Sequence, residues 1–335
     1  MGSRSLPMKV KPLVVAAVTL LIIGVGIIVI KLPSAVRAPT WYEQPEMAWD
    51  LTNSEPWDVR EEKTGPALSI RGTGHRAEGK RVATLGRGSL TQSLVVHFPF
   101  GEYEKGSQPC VLVPSGGGNL ITGTVPTANR EIMKPYLSKG FVVISYELCG
   151  AIDPRDARDS EKLSSAYRSF VTVKAGLVNS KNALEYAAQH IKIVDPQKIF
   201  VAGYSSGGTQ ALLFAAHEKR LAGCVAYCPD TGLTDFDAGK LKRLNFLSGI
   251  EAFVTKAAPL THVENIQCPV MIYAVQDDEI VSFADVMVFF RKLEETNKDA
   301  MLRWSEYGGH GVPYRKTGRP QGAQWMERIA ARDSQ

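Results

Sequence analysis

KIFVAGYSSGGTQ, residues 198–210, is the stretch from which the fold can be inferred. The apolar run 199–202 predicts a buried strand, and the apolar residues that follow position 210 predict a helix. Between them lies a G-x-S-x-G pattern centred on Ser205, a sharp turn in which glycines avoid collisions between strand and helix. Such a turn exposes the serine hydroxyl at the end of a sheet, and the amide of Ser206 there faces a developing oxyanion. Ser205 is therefore a candidate nucleophile and Ser206 a candidate backbone donor.

Composition places the chain among globular proteins. With 335 residues, 44% of them hydrophobic and 22% charged, it is long enough for one large α/β domain with appendages. The formal net charge is only +5, and the basic residues are dispersed rather than clustered. We therefore expect no nucleic-acid partner.

The five cysteines fall in or beside predicted core strands. An odd number without metal-ligand spacing argues against a disulfide scaffold and against a zinc site, so we expect no metal and no cofactor. We interpret the thiols as small buried hydrophobic groups, with Cys224 and Cys228 on one face of a strand.

The amino-terminal apolar run, residues 13–30, carries no charge and is long enough to cross ~30 Å of hydrocarbon. Basic residues precede the run, and acidic residues soon follow it, which favours an amino terminus in the cytoplasm. We interpret residues 1–31 as a membrane anchor with a single transmembrane helix and an exported domain behind it. A cleaved signal peptide is the alternative, although the run is longer than is usual for one.

The next segment, residues 32–64, is rich in Pro and Trp and lacks helical or strand periodicity, so we interpret it as a linker. Residues 67–71 and 90–98 alternate as strands do, which predicts a catalytic domain over residues 65–335. Residues 72–81 begin with a G-x-G-x-x-A pattern but continue with polar residues. We interpret this segment as a turn and not as a dinucleotide site.

A glycine-rich loop, PSGGGN at residues 114–119, follows the predicted strand Cys110–Val113. Glycines at the end of a strand allow backbone amides to approach a ligand closely. The loop therefore predicts a second oxyanion donor at Gly116 or Gly117, with a flexible turn as the alternative.

An acid and a histidine each follow a later predicted strand. Strand 270–275 continues into Asp277 and Asp278, and strand 301–306 leads to His310 between two glycines. The order Ser, Asp, His is the one expected when G-x-S-x-G forms the turn at the end of a sheet. His310 is the candidate general base, and one of the two aspartates is expected to hold its imidazole.

With these residues the chain resembles the α/β-hydrolase superfamily. Within it, the chain is most similar to the branch of prolyl-oligopeptidase-type domains, dienelactone-hydrolase-like proteins and acyl or acetyl-xylan esterases. The similarity covers roughly residues 65–330. It rests on the Asp-Pro pair at 195–196, GYSSGG at 203–208, PLTHVENIQCP at 259–269 and GHG at 309–311.

The resemblance implies an α/β fold with a mostly parallel central sheet flanked by helices. It also implies a triad of Ser205, Asp278 and His310. Asp278 is favoured over Asp277 because the turn in this family typically reads D-x-x-V, which Asp278 satisfies with Val281.

The chain departs from the family at three points. Ser115 stands at the first glycine-loop position, which is often His in esterases, so the resemblance leaves the choice of backbone donors open. The linker has no room for the β-propeller that gates prolyl oligopeptidases. Dienelactone hydrolases use Cys as nucleophile, whereas this chain has Ser205.

The segment between residues 229 and 267 is the expected cap. It mixes acidic and basic residues and carries apolar residues at near-helical spacing. These apolar residues either line an acyl pocket or pack against the domain. They are Leu244, Phe246, Leu247, Ile250 and Phe253.

Together these features predict an exported serine hydrolase that acts on a small-molecule ester. A serine peptidase acting on short peptides is the first alternative. A non-catalytic binding module with a hydrolase fold is the second alternative.

Overall fold

The computed structural model describes residues 49, 51, 55–69, 76–86, 90–125, 130–236 and 238–332. The predicted membrane anchor, residues 1–31, lies outside them, as does most of the predicted linker. Within the described part, no helix combines the length and the apolar character needed to cross a bilayer.

One sheet of nine strands organises the described part of the chain. In chain order the strands are β1 (Asp58–Ser69), β2 (Arg76–Leu85), β3 (Thr91–His97), β4 (Gln108–Pro114), β5 (Val142–Tyr146), β6 (Val194–Tyr204), β7 (Gly223–Tyr227), β8 (Val270–Val275) and β9 (Ala300–Ser305). Across the sheet their order is β1-β2-β3-β5-β4-β6-β7-β8-β9.

The strands from β5 to β9 in this order are parallel, whereas β1, β2 and β3 are antiparallel to their neighbours. The predicted mostly parallel sheet is therefore confirmed. β5, β7 and β8 are buried along their whole length because helices cover both faces of the sheet, which explains their continuous apolar sequences. Since parallel strands end at the same edge, the loops after β4, β6, β8 and β9 meet there.

The helices connect the strands and cover the two faces of the sheet. They are α1 (Arg130–Leu137), α2 (Ser160–Thr172), α3 (Leu177–His190), α4 (Ser206–His217), α5 (Ala238–Arg243), α6 (Ile250–Ala257), α7 (Phe283–Thr296) and α8 (Arg319–Arg332). Asp159 caps the start of α2 and Ser282 that of α7, in each case through a side-chain oxygen that accepts from a backbone amide.

Two apolar clusters form the core, one on each face of the sheet. Successive residues of β4 alternate between them, so that Leu112 joins the larger cluster and Val111 and Val113 join the smaller one. The larger cluster contains the apolar faces of α2, α3, α4 and α7, and the smaller one contains those of α1 and α8. Packing on both faces holds the strands in place, and with them the loops that meet at the carboxyl ends of the parallel strands.

The antiparallel strands differ from the sequence prediction. β1 begins at Asp58, inside the stretch interpreted as linker, and β2 includes the polar residues 78–81, which the sequence predicts to be a turn. Both strands lie near the edge of the sheet, where one or both faces meet solvent, so their polar residues are compatible with strand structure. Residues 72–75, the first part of the predicted turn, lie outside the described residues.

All five cysteines are free and buried. Cys224 lies in the larger apolar cluster, whereas Cys228 lies in the smaller one. The prediction that the two share one face is wrong, because Cys228 follows the end of β7 and has a positive φ of 46°. That backbone turn directs Cys228 away from the strand pattern that its spacing suggests.

The segment expected as a cap contains α5, α6 and a 3₁₀ helix, Pro259–Asn265. Most of its apolar stripe packs into the larger cluster, where Leu247 and Phe253 are buried. The Phe253 ring lies 5.2 Å from that of Tyr167, edge to face. Of the two alternatives for this stripe, packing against the domain is the one observed.

Candidate active site

Ser205 lies in the turn between β6 and α4. Its φ of 57° and ψ of −128° are unusual for a residue other than glycine. The amide of Ser205 donates to the carbonyl oxygen of Tyr227 over 2.8 Å, which ties the turn to the neighbouring strand β7. The turn thus holds Ser205 in a strained conformation at the end of the sheet, as the G-x-S-x-G pattern requires.

The glycines around Ser205 are required by close backbone contacts. A Cβ atom on Gly203 would lie 1.9 Å from the carbonyl oxygen of Gly207, and one on Gly207 would lie 2.8 Å from that of Pro114. Any side chain at these positions would force strand and helix apart. The tight turn is therefore fixed by backbone packing.

Ser205, His310 and Asp278 form a continuous hydrogen-bonded series. The distance from Ser205 Oγ to His310 Nε2 is 2.9 Å, and that from His310 Nδ1 to Asp278 Oδ2 is 2.7 Å. The structure thus brings together the three residues that the sequence predicts as nucleophile, base and acid. Within the described residues, the imidazole forms its carboxylate hydrogen bond with Asp278 and not with Asp277. The carboxylate of Asp277 instead accepts hydrogen bonds from the amides of Gly308 and Gly309.

Asp278 is suited to remain ionised. Burial raises the pKa of its carboxyl group, but hydrogen bonds from His310 and from the amides of Val281 and Ile280 outweigh burial and leave the pKa below its ordinary value. An ionised Asp278 accepts from His310 Nδ1–H, which leaves Nε2 free to accept the proton of Ser205. The tautomer that general-base chemistry requires therefore follows from the surroundings of Asp278.

His310 is also held through its backbone and the face of its ring. Tyr204, the residue before Ser205, donates its hydroxyl to the carbonyl oxygen of His310 over 3.1 Å, and the centroids of the two rings are 5.0 Å apart. The Tyr204 ring stacks in turn on that of Tyr314, with centroids 4.0 Å apart. We call the turn that carries Ser205 the nucleophile turn and the loop that carries His310 the histidine loop. These two segments thus contact each other directly.

The glycine loop lies against the nucleophile turn. A Cβ atom on Gly116 would lie 2.6 Å from the carbonyl oxygen of Tyr204, and Gly117 has a positive φ of 85°. Among the described residues, the amides of Gly116, Gly117 and Ser206 have no hydrogen-bond acceptor. The structure therefore leaves all three predicted donors available to a ligand.

Three polar side chains fix this loop, and the sequence assigns a role to none of them. Ser115 donates its hydroxyl to the carbonyl oxygen of Tyr146 over 2.8 Å, and Ser206 Oγ accepts from the amide of Gly118 over 3.0 Å. Asn119 Oδ1 accepts from the amide of Thr122 over 3.0 Å. In the sequence, these side chains could be suspected only because short polar residues flank the glycine run. Such residues are also common in ordinary turns.

A small open cavity lies beside Ser206 and Gly118. Among the described residues, its walls contain no charged side chain. They consist of Gly118, Leu120, Thr122, Thr124, Leu148, Phe170, Ala175, Ser206, Thr209, Gln210, Leu213, Leu233 and Ala257. This cavity is thus suited to an uncharged, mostly apolar group.

Cys228 lies next to Asp278 and His310, so that a thiol, a carboxylate and an imidazole, three side-chain types that can bind a metal ion, are close together. In the described part of the chain, its sulfur and ligand atoms of Asp278 and His310 all lie within 4.8 Å of one another. Burial raises the pKa of the Cys228 thiol, and the nearby Asp278 raises it further. Because Asp278 and His310 are already bonded to each other, metal binding there would require both a thiolate and the loss of that bond.

Comparison with known sequences identifies relatives of the chain. The prolyl oligopeptidase family profile matches residues 156–330, more than half of the 335 residues. The quorum-quenching protein AidA of Acinetobacter baumannii (strain MDR-ZJ06) is 36% identical over 102 residues, which are 30% of this chain and 32% of that protein. The matched segment thus spans about a third of that curated relative.

Several solved structures share the architecture. Acetyl xylan esterase 1 from Thermoanaerobacterium sp. JW/SL YS485 has a TM-score of 0.60 at 14% identity, covering 82% of this chain and 89% of that one. Dipeptidyl peptidase 4 of Porphyromonas gingivalis has a TM-score of 0.59 at 16% identity, covering 75% of this chain and 35% of that one. At such identities the similarity establishes the fold alone, and it confirms the predicted α/β-hydrolase fold.

Proposed function

We propose that this chain, which belongs to the prolyl oligopeptidase family, is a serine hydrolase that cleaves carboxylic esters through an acyl-enzyme on Ser205. The observation that carries the proposal is the hydrogen-bonded series from Asp278 through His310 to Ser205, with distances of 2.7 and 2.9 Å. A serine hydroxyl is a weak nucleophile at neutral pH, and a histidine held in this tautomer activates it.

In the proposed reaction, Ser205 Oγ attacks the ester carbonyl carbon as His310 Nε2 takes the hydroxyl proton. The negative charge on the carbonyl oxygen is stabilised by the amide of Ser206 and by that of Gly116 or Gly117. The intermediate collapses when the ester C–O bond breaks, and His310 gives its proton to the departing alcohol. Water then attacks the acyl-enzyme with His310 again as base, which releases the acid and restores Ser205.

The cavity beside Ser206 supports an ester with an uncharged group. Leu148, Leu213 and Leu233 supply apolar surface, and the described walls offer no charge to pair with a substrate carboxylate or ammonium group. The bound group is therefore expected to be small and neutral.

A serine peptidase acting on short peptides is the second candidate, which family membership favours. Both reactions use the same acylation step and differ in the leaving group. Turnover of simple esters compared with that of peptidyl amides distinguishes them, and we expect esters to be the better substrates.

Labelling of the full chain with a fluorophosphonate probe tests the nucleophile. We expect the wild type to be labelled and Ser205→Ala to be unlabelled. Ser165→Ala is the control, because it removes an exposed serine hydroxyl from α2 and leaves Ser205 and the glycine loop unchanged. Labelling that persists in Ser205→Ala would refute the assignment, and a wild type that is neither labelled nor active would favour a non-catalytic binding module.

We further propose that residues 1–31 anchor the chain in a membrane and that the hydrolase domain is exported. The support is the uncharged run 13–30 and the distribution of charges around it. Protease treatment of intact cells that express the full chain tests this topology, since an exported domain is degraded and an internal one is protected.

A further inference from the structure

Three consecutive carboxylates, Asp277, Asp278 and Glu279, all bind the loop that carries His310. Asp278 binds the imidazole itself. The other two bind only the backbone of the loop, and the proposed reaction gives them no part. Their hydrogen bonds nevertheless indicate a role for each of them.

Asp277 binds two consecutive amides. Its Oδ2 atom accepts from Gly308 N over 3.0 Å, and its Oδ1 atom accepts from Gly309 N over 2.9 Å. Both glycines have positive φ values, 118° and 64°, so these two amides face a common acceptor. The hydrogen bonds hold the pKa of Asp277 below its ordinary value, which keeps the carboxylate ionised and able to accept both.

Glu279 binds the next amide along the chain. Its Oε2 atom accepts from His310 N over 3.1 Å. The same carboxylate packs against the loop, since a Cβ atom on Gly309 would lie 2.7 Å from Glu279 Oε2. The amides of Gly308, Gly309 and His310 thus each donate to one of two carboxylates.

Packing alone offers little support to this part of the loop. Gly308 is exposed, and Tyr307 just before it is 77% exposed. On the other side of His310, by contrast, the hydroxyl of Tyr204 binds the carbonyl oxygen. The backbone that leads into His310 therefore depends on hydrogen bonds to charged groups for its position.

We propose that Asp277 and Glu279, which we call the carboxylate clamp, are positioning residues for His310. They fix the backbone so that the ring reaches both Asp278 and Ser205. This inference rests on the proposed function, in which His310 is the general base. The clamp contacts neither the reacting atoms nor the cavity, so it acts on the chemical step and not on substrate binding.

The expected effects follow from the number of acceptors lost. Asp277→Ala removes both acceptors and is expected to lower kcat about 10- to 100-fold, since a displacement of ~1 Å at a catalytic group costs up to ~10²-fold. Glu279→Ala removes one acceptor and is expected to lower kcat about tenfold. Glu279→Gln keeps an oxygen for His310 N and is expected to recover most of that loss. KM is expected to be unchanged in all three variants.

The test uses the full chain with two readouts. The first is kcat and KM on a simple ester. The second is hydrogen exchange of the peptide that contains Gly308, Gly309 and His310, which we expect to be faster in both Ala variants. Glu306→Gln is the matched control, because it removes an exposed charge from the same loop outside the clamp. We expect it to leave both readouts unchanged.

The proposal is overturned if kcat in both Ala variants stays within about twofold of wild type, because a change that small is typical of a surface substitution without a specific role. It is also overturned if Glu279→Gln and Glu306→Gln lose as much activity as the Ala variants, because the effect would then be general charge and not hydrogen bonding. If Asp277→Ala does not fold, Asp277→Asn and Glu279→Ala carry the test. If the wild type hydrolyses no ester, the proposed function fails, whereas the exchange measurement still tests the hold of the clamp on the loop.

Discussion

The segment around Ser205 is held by backbone packed against backbone, whereas the segment around His310 is held by hydrogen bonds to carboxylates. At the nucleophile turn, Gly203 has no room for a Cβ atom, and the helix that follows is buried. At the histidine loop, Gly308 is exposed, and its amide donates to Asp277. One partner of the 2.9 Å Ser205–His310 contact is thus positioned by sterics and the other by electrostatics.

The difference implies two kinds of sensitivity. The tightly packed turn around Ser205 cannot accommodate an added atom, but changes of charge affect it little. The loop around His310 can accommodate an added atom more easily, but it depends on ionised hydrogen-bond acceptors. The predictions below separate the two segments, from the largest expected effect to the smallest.

Asp278→Asn is expected to have the largest effect. It preserves shape but presents an amide to His310 Nδ1, which favours the wrong imidazole tautomer and is expected to lower kcat about 10³- to 10⁴-fold without unfolding the chain. Asp277→Asn, which keeps one acceptor oxygen for the loop, is expected to lower kcat only about tenfold. Ester turnover of the two variants checks the order, and the reverse order would transfer the acid role to Asp277.

Gly203→Ala and Gly309→Ala form a matched pair across the two segments. The added Cβ atom at Gly203 would lie 1.9 Å from a backbone oxygen, so we expect a loss of roughly 3 kcal/mol or more in the free energy of unfolding. At Gly309 it would lie 2.7 Å from the end of the flexible Glu279 side chain. That side chain can move, so the positive φ dominates, and we expect about 1–2 kcal/mol. Urea unfolding measures both, and equal losses would refute the contrast.

Acid is expected to weaken the helix of the nucleophile turn before it weakens the histidine loop. His217 ends α4, and burial, together with the nearby His262, lowers its pKa to about 4. Because an unfolded histidine titrates near ~6.5, the unfolded chain binds more protons between these values, and stability falls as the pH falls. Asp277 and Asp278 have pKa values below the ordinary one, so their stabilising contributions are lost only at still lower pH.

His217→Gln isolates this effect. From pH 7 to pH ~4, the free energy of unfolding of the wild type is expected to fall relative to that of the variant, because only the wild type has this group to protonate. Urea unfolding at several pH values measures the difference. A constant difference across this range would show that His217 titrates normally.

Tyr204→Phe is expected to have the smallest effect. It removes the hydroxyl that binds the carbonyl oxygen of His310 but keeps the ring that stacks on Tyr314. Loss of one hydrogen bond of this kind corresponds to about a two- to tenfold change, which we expect in kcat. A much larger loss would mean that the histidine loop depends on its contact with the nucleophile turn more than on the carboxylate clamp.

The sequence predicts the parts of the site that obey local rules. G-x-S-x-G between an apolar strand and an apolar helix identifies the turn at Ser205, because glycine spacing and periodicity act over a few residues. His310 between glycines and Asp278 in D-x-x-V are equally local, and in the structure His310 contacts Ser205 and Asp278 contacts His310. The parallel strands are recognisable because continuous apolar runs reflect burial on both faces.

The features that the sequence does not predict depend on distant partners. Asp277 binds amides 31 and 32 positions away, so no local pattern distinguishes it from a solvated acid. β2 has polar residues because it lies next to the edge strand, and its strand character comes from pairing with β1 and β3. Cys228 leaves the face expected from its spacing because of a positive φ, which depends on the packing after β7 and not on residue type.

Under the export proposed above, the burial of all five thiols has a consequence for the folded protein. While the chain is folded, its five cysteine thiols are shielded from oxidants by burial. Once heat or denaturant exposes the thiols, their odd number guarantees that intramolecular pairing leaves one to crosslink with another molecule or to oxidise. Unfolding in air is then effectively a one-way event, and recovery of the native protein requires a reductant.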